Sequence, residues 1–147
     1  MNLRIIVVLL VVFSCGKLFS QEKTEKNIEK VSKQLVRIAE IEVFPEYWEQ
    51  YKEILLQGAR ESVEKEEGVV SIFPMEIDSG SYKIRILEIY KSKEAYDQHI
   101  QSKHFQFYKT TTLKMIKDLK LVDMKSLDLD LQKKIFIKEN GDSVNGQ

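Results

Sequence analysis

The chain has 147 residues and 17.2 kDa, with 43% apolar, 31% charged and 10% aromatic residues, the profile of one ordinary globular domain. Lys plus Arg and Asp plus Glu both number 23, so the formal charge is zero and no global field gathers nucleic acid or an anionic membrane. Cys15 is the only cysteine and His99 and His104 are the only histidines, which excludes a disulfide framework, a cysteine zinc site and a three-histidine metal site.

Arg4 precedes an unbroken apolar run over residues 5–13, far short of the ~20 residues needed to span a bilayer as a helix. The pattern predicts a secretory signal over residues 1–20, and two processing routes compete. Val12-Phe13-Ser14-Cys15 resembles a lipobox, in which Cys15 is acylated and becomes the mature N-terminus; ordinary cleavage near Ser20-Gln21 is the other route. The run ends directly at the cysteine and Lys17 follows at once, which favours lipidation of Cys15. Either route sends the protein to the periplasm or envelope, with the membrane reached only through a lipid anchor. Loss of Arg4 and Lys17 with the leader leaves 21 basic and 23 acidic residues, a net charge of −2.

Residues 21–33 are polar and rich in Lys and Glu, with too few apolar groups to bury a face, so they read as a tether. The domain occupies residues 34–127. Its first element covers about residues 35–43, where Leu35, Ala39, Ile41 and Val43 share one parity while Val36 and Ile38 lie on the other; this is a strand with apolar groups on both faces. Pro45 suits the first turn of a helix, and Trp48, Tyr51, Leu55, Ala59 and Val63 recur at three- and four-residue intervals until Gly68, which can end the helix in a left-handed conformation. The run Glu64-Lys65-Glu66-Glu67 reads as a solvated last turn with no function of its own.

Residues 69–77 alternate, Asp78-Ser79-Gly80-Ser81 supplies turn chemistry, and residues 82–90 form the partner strand of a hairpin. Pro74 lacks a donor and marks an edge position or a bulge. Ser92 is placed to cap a short helix around residues 94–99, and Ser102 to cap a second one reaching about residue 117 through Phe105, Tyr108, Leu113 and Ile116. Residues 119–127 read as a last strand. Residues 128–147 read as a partly loose C-terminal extension with an apolar patch, Ile135-Phe136-Ile137.

The order β-α-β-β-α-β with a broken second helix predicts an α+β fold of the ferredoxin-like plan, a four-stranded antiparallel sheet with both helices on one face. A sheet with one wet face alternates apolar and polar residues, so the two-sided strands leave the other face in need of cover. A second copy of the chain, or the extension around Phe136, would supply it.

The segment from Glu88 to Gln106 contains Glu88-Ile89-Tyr90, Ala95, and then His99-Ile100-Gln101-Ser102-Lys103-His104-Phe105. It resembles the signature of the antibiotic biosynthesis monooxygenase family: Glu-x-Tyr, an alanine, then His-x-x-Ser/Thr-x-His-Phe. Residues 36–51 are similar to that family's first strand and helix, and Glu66-Glu67-Gly68-Val69 resembles its Glu-Pro-Gly turn with Glu67 in place of proline. The resemblance covers residues 34–126 and implies a homodimeric α+β barrel of the quinol-monooxygenase-like branch, needing neither cofactor nor metal. The haem-degrading branch is less similar: it has tryptophan where His99 stands, its iron-binding histidine where Lys109 stands, and asparagine where Ile41 stands.

Oxygenation without metal or flavin requires an electron-rich substrate whose hydroxyl is deprotonated inside a water-poor cavity. His99 is the first candidate for the base, or for a donor that orients the substrate oxygen, and His104, in the first turn of the helix capped by Ser102, is the candidate neutral hydrogen-bond partner. The alternative is that both histidines satisfy backbone carbonyls and hold the helix break. Glu88 and Tyr90, sharing parity at the end of the third strand, and Tyr108 on an apolar helix face are the candidate substrate-binding residues. The resulting expectation is an exported homodimeric monooxygenase of a quinol-like or other small aromatic substrate. A non-catalytic dimeric module that binds a small lipophilic ligand at the envelope, or a purely structural dimer, is the alternative.

Overall fold

The computed structural model describes residues 25–26 and 33–136. The expected leader with Cys15, nearly all of the tether and the chain beyond residue 136 lie outside the described residues. The elements are β1 (Leu35–Val43), a 3-10 turn at Pro45–Tyr47, α1 (Trp48–Lys65), β2 (Val69–Glu76) and β3 (Lys83–Tyr90). There follow α2 (Lys93–His99), α3 (Lys103–Thr112), a second 3-10 turn at Leu113–Met115, β4 (Ile116–Met124) and α4 (Leu129–Ile135). The strands order as β2-β3-β1-β4 with every neighbouring pair antiparallel. This is the α+β ferredoxin-like plan with its second helix broken.

The period-two pattern of β1 divides the sheet. Ala39, Ile41 and Val43 are buried with Ile84 and Ile86 of β3 and with Trp48, Tyr51 and Leu55 of α1, forming the core between sheet and helices. Residues of the opposite parity, Val36 and Ile38 with Leu87 and Ile89, face the other way. There Ile89 is buried, whereas Phe73 and Met75 on the edge strand β2 are 58% and 39% exposed. Pro74 sits on that edge strand, where its missing donor costs no ladder bond on the open side.

Two sequence expectations need correction. The helix capped by Ser102 stops at Thr112 and the last strand begins at Ile116 rather than Leu119. The cause is long-range pairing: Phe44 N donates to Met115 O at 2.9 Å and Val43 stands opposite Ile116, so β1 draws into the sheet a segment whose apolar spacing also suits a helix. Within the C-terminal extension, residues 129–135 form α4 under an Asp128 cap that accepts from Leu131 N at 2.9 Å. Gln132 Nε2 donates to Gln34 Oε1 and Gln34 Nε2 to Phe136 O, at 2.7 and 3.0 Å, tying α4 to the start of β1.

Gly68 does not occupy a left-handed conformation; among the described glycines Gly80 does, at φ +82° in the hairpin turn. What Gly68 provides is room, because a Cβ there would stand 2.6 Å from the Ala95 Cβ of α2. Lys91 N also donates to Gly68 O at 2.8 Å, so α2 is held tightly against the turn that leaves α1. Gly68→Ala is expected to destabilise the fold by ~1–3 kcal/mol through overpacking, seen as a lower melting temperature. Ala95→Gly in the same chain should recover most of the loss, and an unchanged melting temperature for Gly68→Ala alone would refute the close contact.

Candidate active site

The break between α2 and α3 is a tight turn built by local chemistry. Ser92 Oγ accepts from Ala95 N and Ser102 Oγ from Phe105 N, each at 3.3 Å, so each serine satisfies a free donor of its helix. Ser102 N donates to His99 O at 2.9 Å across the connection. His99 therefore closes α2 and His104 opens α3, with ring centroids 6.2 Å apart.

Both rings converge on Glu66, the residue that caps α1. His99 Nδ1 donates to Glu66 Oε1 at 2.8 Å and His104 Nε2 donates to the same oxygen at 2.6 Å, a direction set by the carboxylate's lack of a proton. Ser102 Oγ lies 3.1 Å from His104 Nε2. The His99 ring is 3% exposed, with centroids of Phe105 and Tyr90 at 4.9 and 5.3 Å. Burial lowers its pKa below the ordinary value; the bond to Glu66 opposes that shift and nearby His104 adds to it. The neutral imidazole results, with Nδ1 holding the proton and Nε2 able to accept one.

His99 lines a cavity of about 490 Å³ between the sheet and the helices. At this end of it, Tyr90 Oη donates to Glu88 Oε2 at 3.0 Å. Arg37 Nε donates to Asp123 Oδ1 at 2.6 Å while its guanidinium lies 4.7 Å from the Tyr96 ring centroid. Burial raises the Glu88 pKa, and the Tyr90 hydroxyl and Arg37 work against the rise. Burial likewise holds the Tyr90 and Tyr108 hydroxyls protonated, Tyr90 further through the charge of Glu88. Tyr108 lines the cavity and its hydroxyl meets that of Tyr51 at 2.7 Å.

Of the sequence candidates, His99, Glu88, Tyr90 and Tyr108 thus share one cavity. His104 does not line it; it lies with Glu66 in an outer pocket and is joined to His99 through that carboxylate. Phe105 is cavity wall, whereas Trp48 and Tyr51 belong to the core.

Sequence reasoning missed Glu66 and Arg37. The reading of residues 64–67 as a solvated turn is corrected for Glu66, whose signal was its place in the Glu-x-Gly turn. Arg37 interrupts the buried parity of β1, a charge where the pattern calls for an apolar group. Glu66, His99 and His104 also offer ligand atoms within 4.8 Å of one another, so a cation could be held there among the described residues.

Residues 34–110 match the family model described as antibiotic biosynthesis monooxygenase. A solved structure from Bacteriodes thetaiotaomicron, classed by name with the antibiotic biosynthesis monooxygenases, is 33% identical, with 67% of this chain and 93% of that one covered and a TM-score of 0.65. Another so classed, from Nitrosomonas europaea, is 18% identical over 65% of this chain and 92% of its own, TM-score 0.61. One classed as a monooxygenase from Lactobacillus acidophilus is 21% identical over 61% of this chain and 43% of its own, TM-score 0.59. At those identities the latter two show a shared fold alone. No curated protein matches the chain. The family match spans more than half of the sequence and takes in the paired helices that carry both histidines, so the chain belongs to the antibiotic biosynthesis monooxygenase family.

Proposed function

We propose that this protein is an exported, homodimeric monooxygenase that uses dioxygen to oxidise a quinol-like or other small aromatic substrate, with His99 as the base. The observation that carries this reading is the neutral His99 at the polar end of an otherwise apolar cavity, its Nδ1 held by Glu66. For a hydroquinone the sequence balances as follows. His99 Nε2 takes a phenolic proton, and the anion passes one electron to dioxygen, giving a ring radical and superoxide. These combine at a ring carbon beside the phenolic oxygen to form a C–O bond. The proton on that carbon then passes to the outer peroxide oxygen as the O–O bond breaks, leaving a carbonyl and a hydroxide ion, and the hydroxide takes the proton held by His99. One hydroquinone and one dioxygen become one hydroxyquinone and one water. Glu88, Tyr90 and Arg37 are placed to orient the second ring oxygen, and apolar walls keep water from the radical pair.

Oxygen uptake measured over a panel of hydroquinones and phenols tests this. Turnover with one hydroxyquinone formed per dioxygen is expected. Ligand binding without oxygen uptake would favour the non-catalytic lipophile-binding module, a rival supported by the mainly apolar cavity lining. Export rests on the apolar leader, with lipidation at Cys15 the preferred route; mass spectrometry of the mature N-terminus should find an acylated cysteine, and a chain starting near Gln21 would refute the anchor alone. Dimerisation rests on the second sheet face, where Phe73 and Met75 are exposed beside buried Ile89. Light scattering at micromolar concentration should give a dimer, and a monomer would overturn that part of the proposal.

A further inference from the structure

We propose that the ligand of this cavity is an amphiphile: a phenolic or hydroquinone ring at the polar end bearing an alkyl or isoprenoid tail, which runs along the apolar floor and leaves between the end of α3 and β4. The inference rests on the quinol reading above and specifies its substrate class.

The floor is graded by strand register. Arg37 lies opposite Glu88 and Asp123; the next row on the same face is Ala39 with Ile86 and Leu121, and the next is Ile41 with Ile84 and Leu119. At about 3.3 Å per residue the first and last of these rows are ~13 Å apart, so the charged groups stand at one end and the floor beyond them is hydrocarbon. The α3 wall runs alongside this floor. α3 starts beside His99, where the Phe105 ring packs, and ends at the turn whose Met115 O receives Phe44 N just past β1.

Volume and exposure point the same way. A cavity of ~150 Å³ is enough for a benzene ring, whereas this one measures about 490 Å³. A bare ring held by His99 and Glu88 would leave most of it unfilled. Leu113, Leu119 and Leu121 line the cavity yet are 70%, 50% and 48% exposed. Exposed leucines continuous with an apolar interior make a mouth that favours hydrocarbon over water, which a tail passing through it would cover.

Calorimetric titration of the full chain under argon tests the proposal with three probes: methylhydroquinone, the same ring carrying a ten-carbon chain, and n-decanol. The tailed ring is expected to bind at least ~50-fold more tightly than methylhydroquinone, the gain from burying about three methylenes, and more tightly than decanol. The double substitution Leu119→Glu with Leu121→Glu should cut that gain by ~10-fold or more, by placing charge along the tail path. Leu113→Glu, on a different element, should do the same, so a folding defect in one variant does not decide the matter. Equal affinity for the two rings, or a gain unchanged in both variants, overturns the tail while leaving the quinol reading standing. Decanol binding as tightly as the tailed ring overturns the head-group half. If neither ring binds, the quinol reading fails and this inference with it.

Discussion

Replacing His99 by alanine is expected to reduce oxygen uptake ~10²- to 10⁴-fold, the usual loss when a general base is removed. The same substitution should also lower stability, by ~2–5 kcal/mol, because it empties a buried ring site and takes a donor from Glu66. On the proposed reading catalytic and structural roles coincide in this side chain, and alanine alone does not separate them. His99→Asn does: its amide nitrogen can stand near the Nδ1 position and keep a donor toward Glu66, but it offers no basic nitrogen to the cavity. That variant should melt closer to the parent than His99→Ala does, yet lose turnover to a similar degree. Full turnover by a well-folded His99→Asn protein would end the assignment of His99 as the base.

Glu66→Gln is expected to be almost as damaging to activity, ~10²- to 10⁴-fold in kcat/KM, by the logic that governs a carboxylate behind a catalytic imidazole. Glutamine is nearly isosteric, but its amide group can present a donor where Glu66 Oε1 now accepts from His99 Nδ1. The proton then moves to Nε2, and the nitrogen facing the substrate becomes a donor. A readout other than rate identifies this role. With His99 as the base, activity requires its neutral form, so in the parent protein activity is expected to rise with pH through the depressed pKa of His99 and level off above it. Glu66 is the group that holds that pKa up against burial, so the acid limb of kcat/KM in Glu66→Gln should move to lower pH. A purely structural carboxylate would change stability and leave the limb where it was.

The order of elements and the helix break were legible because their causes are local. Ser92 and Ser102 announce two helix starts within eleven residues, and the turn between them puts His99 and His104 on facing ends. Strand alternation likewise exposed two apolar faces on β1 and β3. Glu66 was not legible by the same means: it meets His99 across 33 residues of sequence, and a glutamate in a charged run looks the same whether it ends in solvent or against two imidazoles. Gly68 shows a related limit. Its glycine is required by the Ala95 methyl group rather than by its own dihedral angle, and that kind of requirement is written in a residue far along the chain. The start of β4 was displaced for the converse reason, since β1 pairing overrides a spacing that also suits a helix.

The paired hydroxyls of Tyr51 and Tyr108 set an upper pH limit on the fold. Burial raises the pKa of both, and the Tyr108 neighbour raises that of Tyr51 further. In the unfolded chain both phenols ionise near the ordinary value of ~10, while the folded state keeps its protons. The native form then binds more protons than the unfolded one, so the stability they contribute is complete below pH ~10 and drains away as the pH climbs beyond it. Alkali should accordingly produce tyrosinate absorbance from these two rings only as the domain opens, making their ultraviolet titration a report on the integrity of the α1 and α3 packing that shapes the cavity wall.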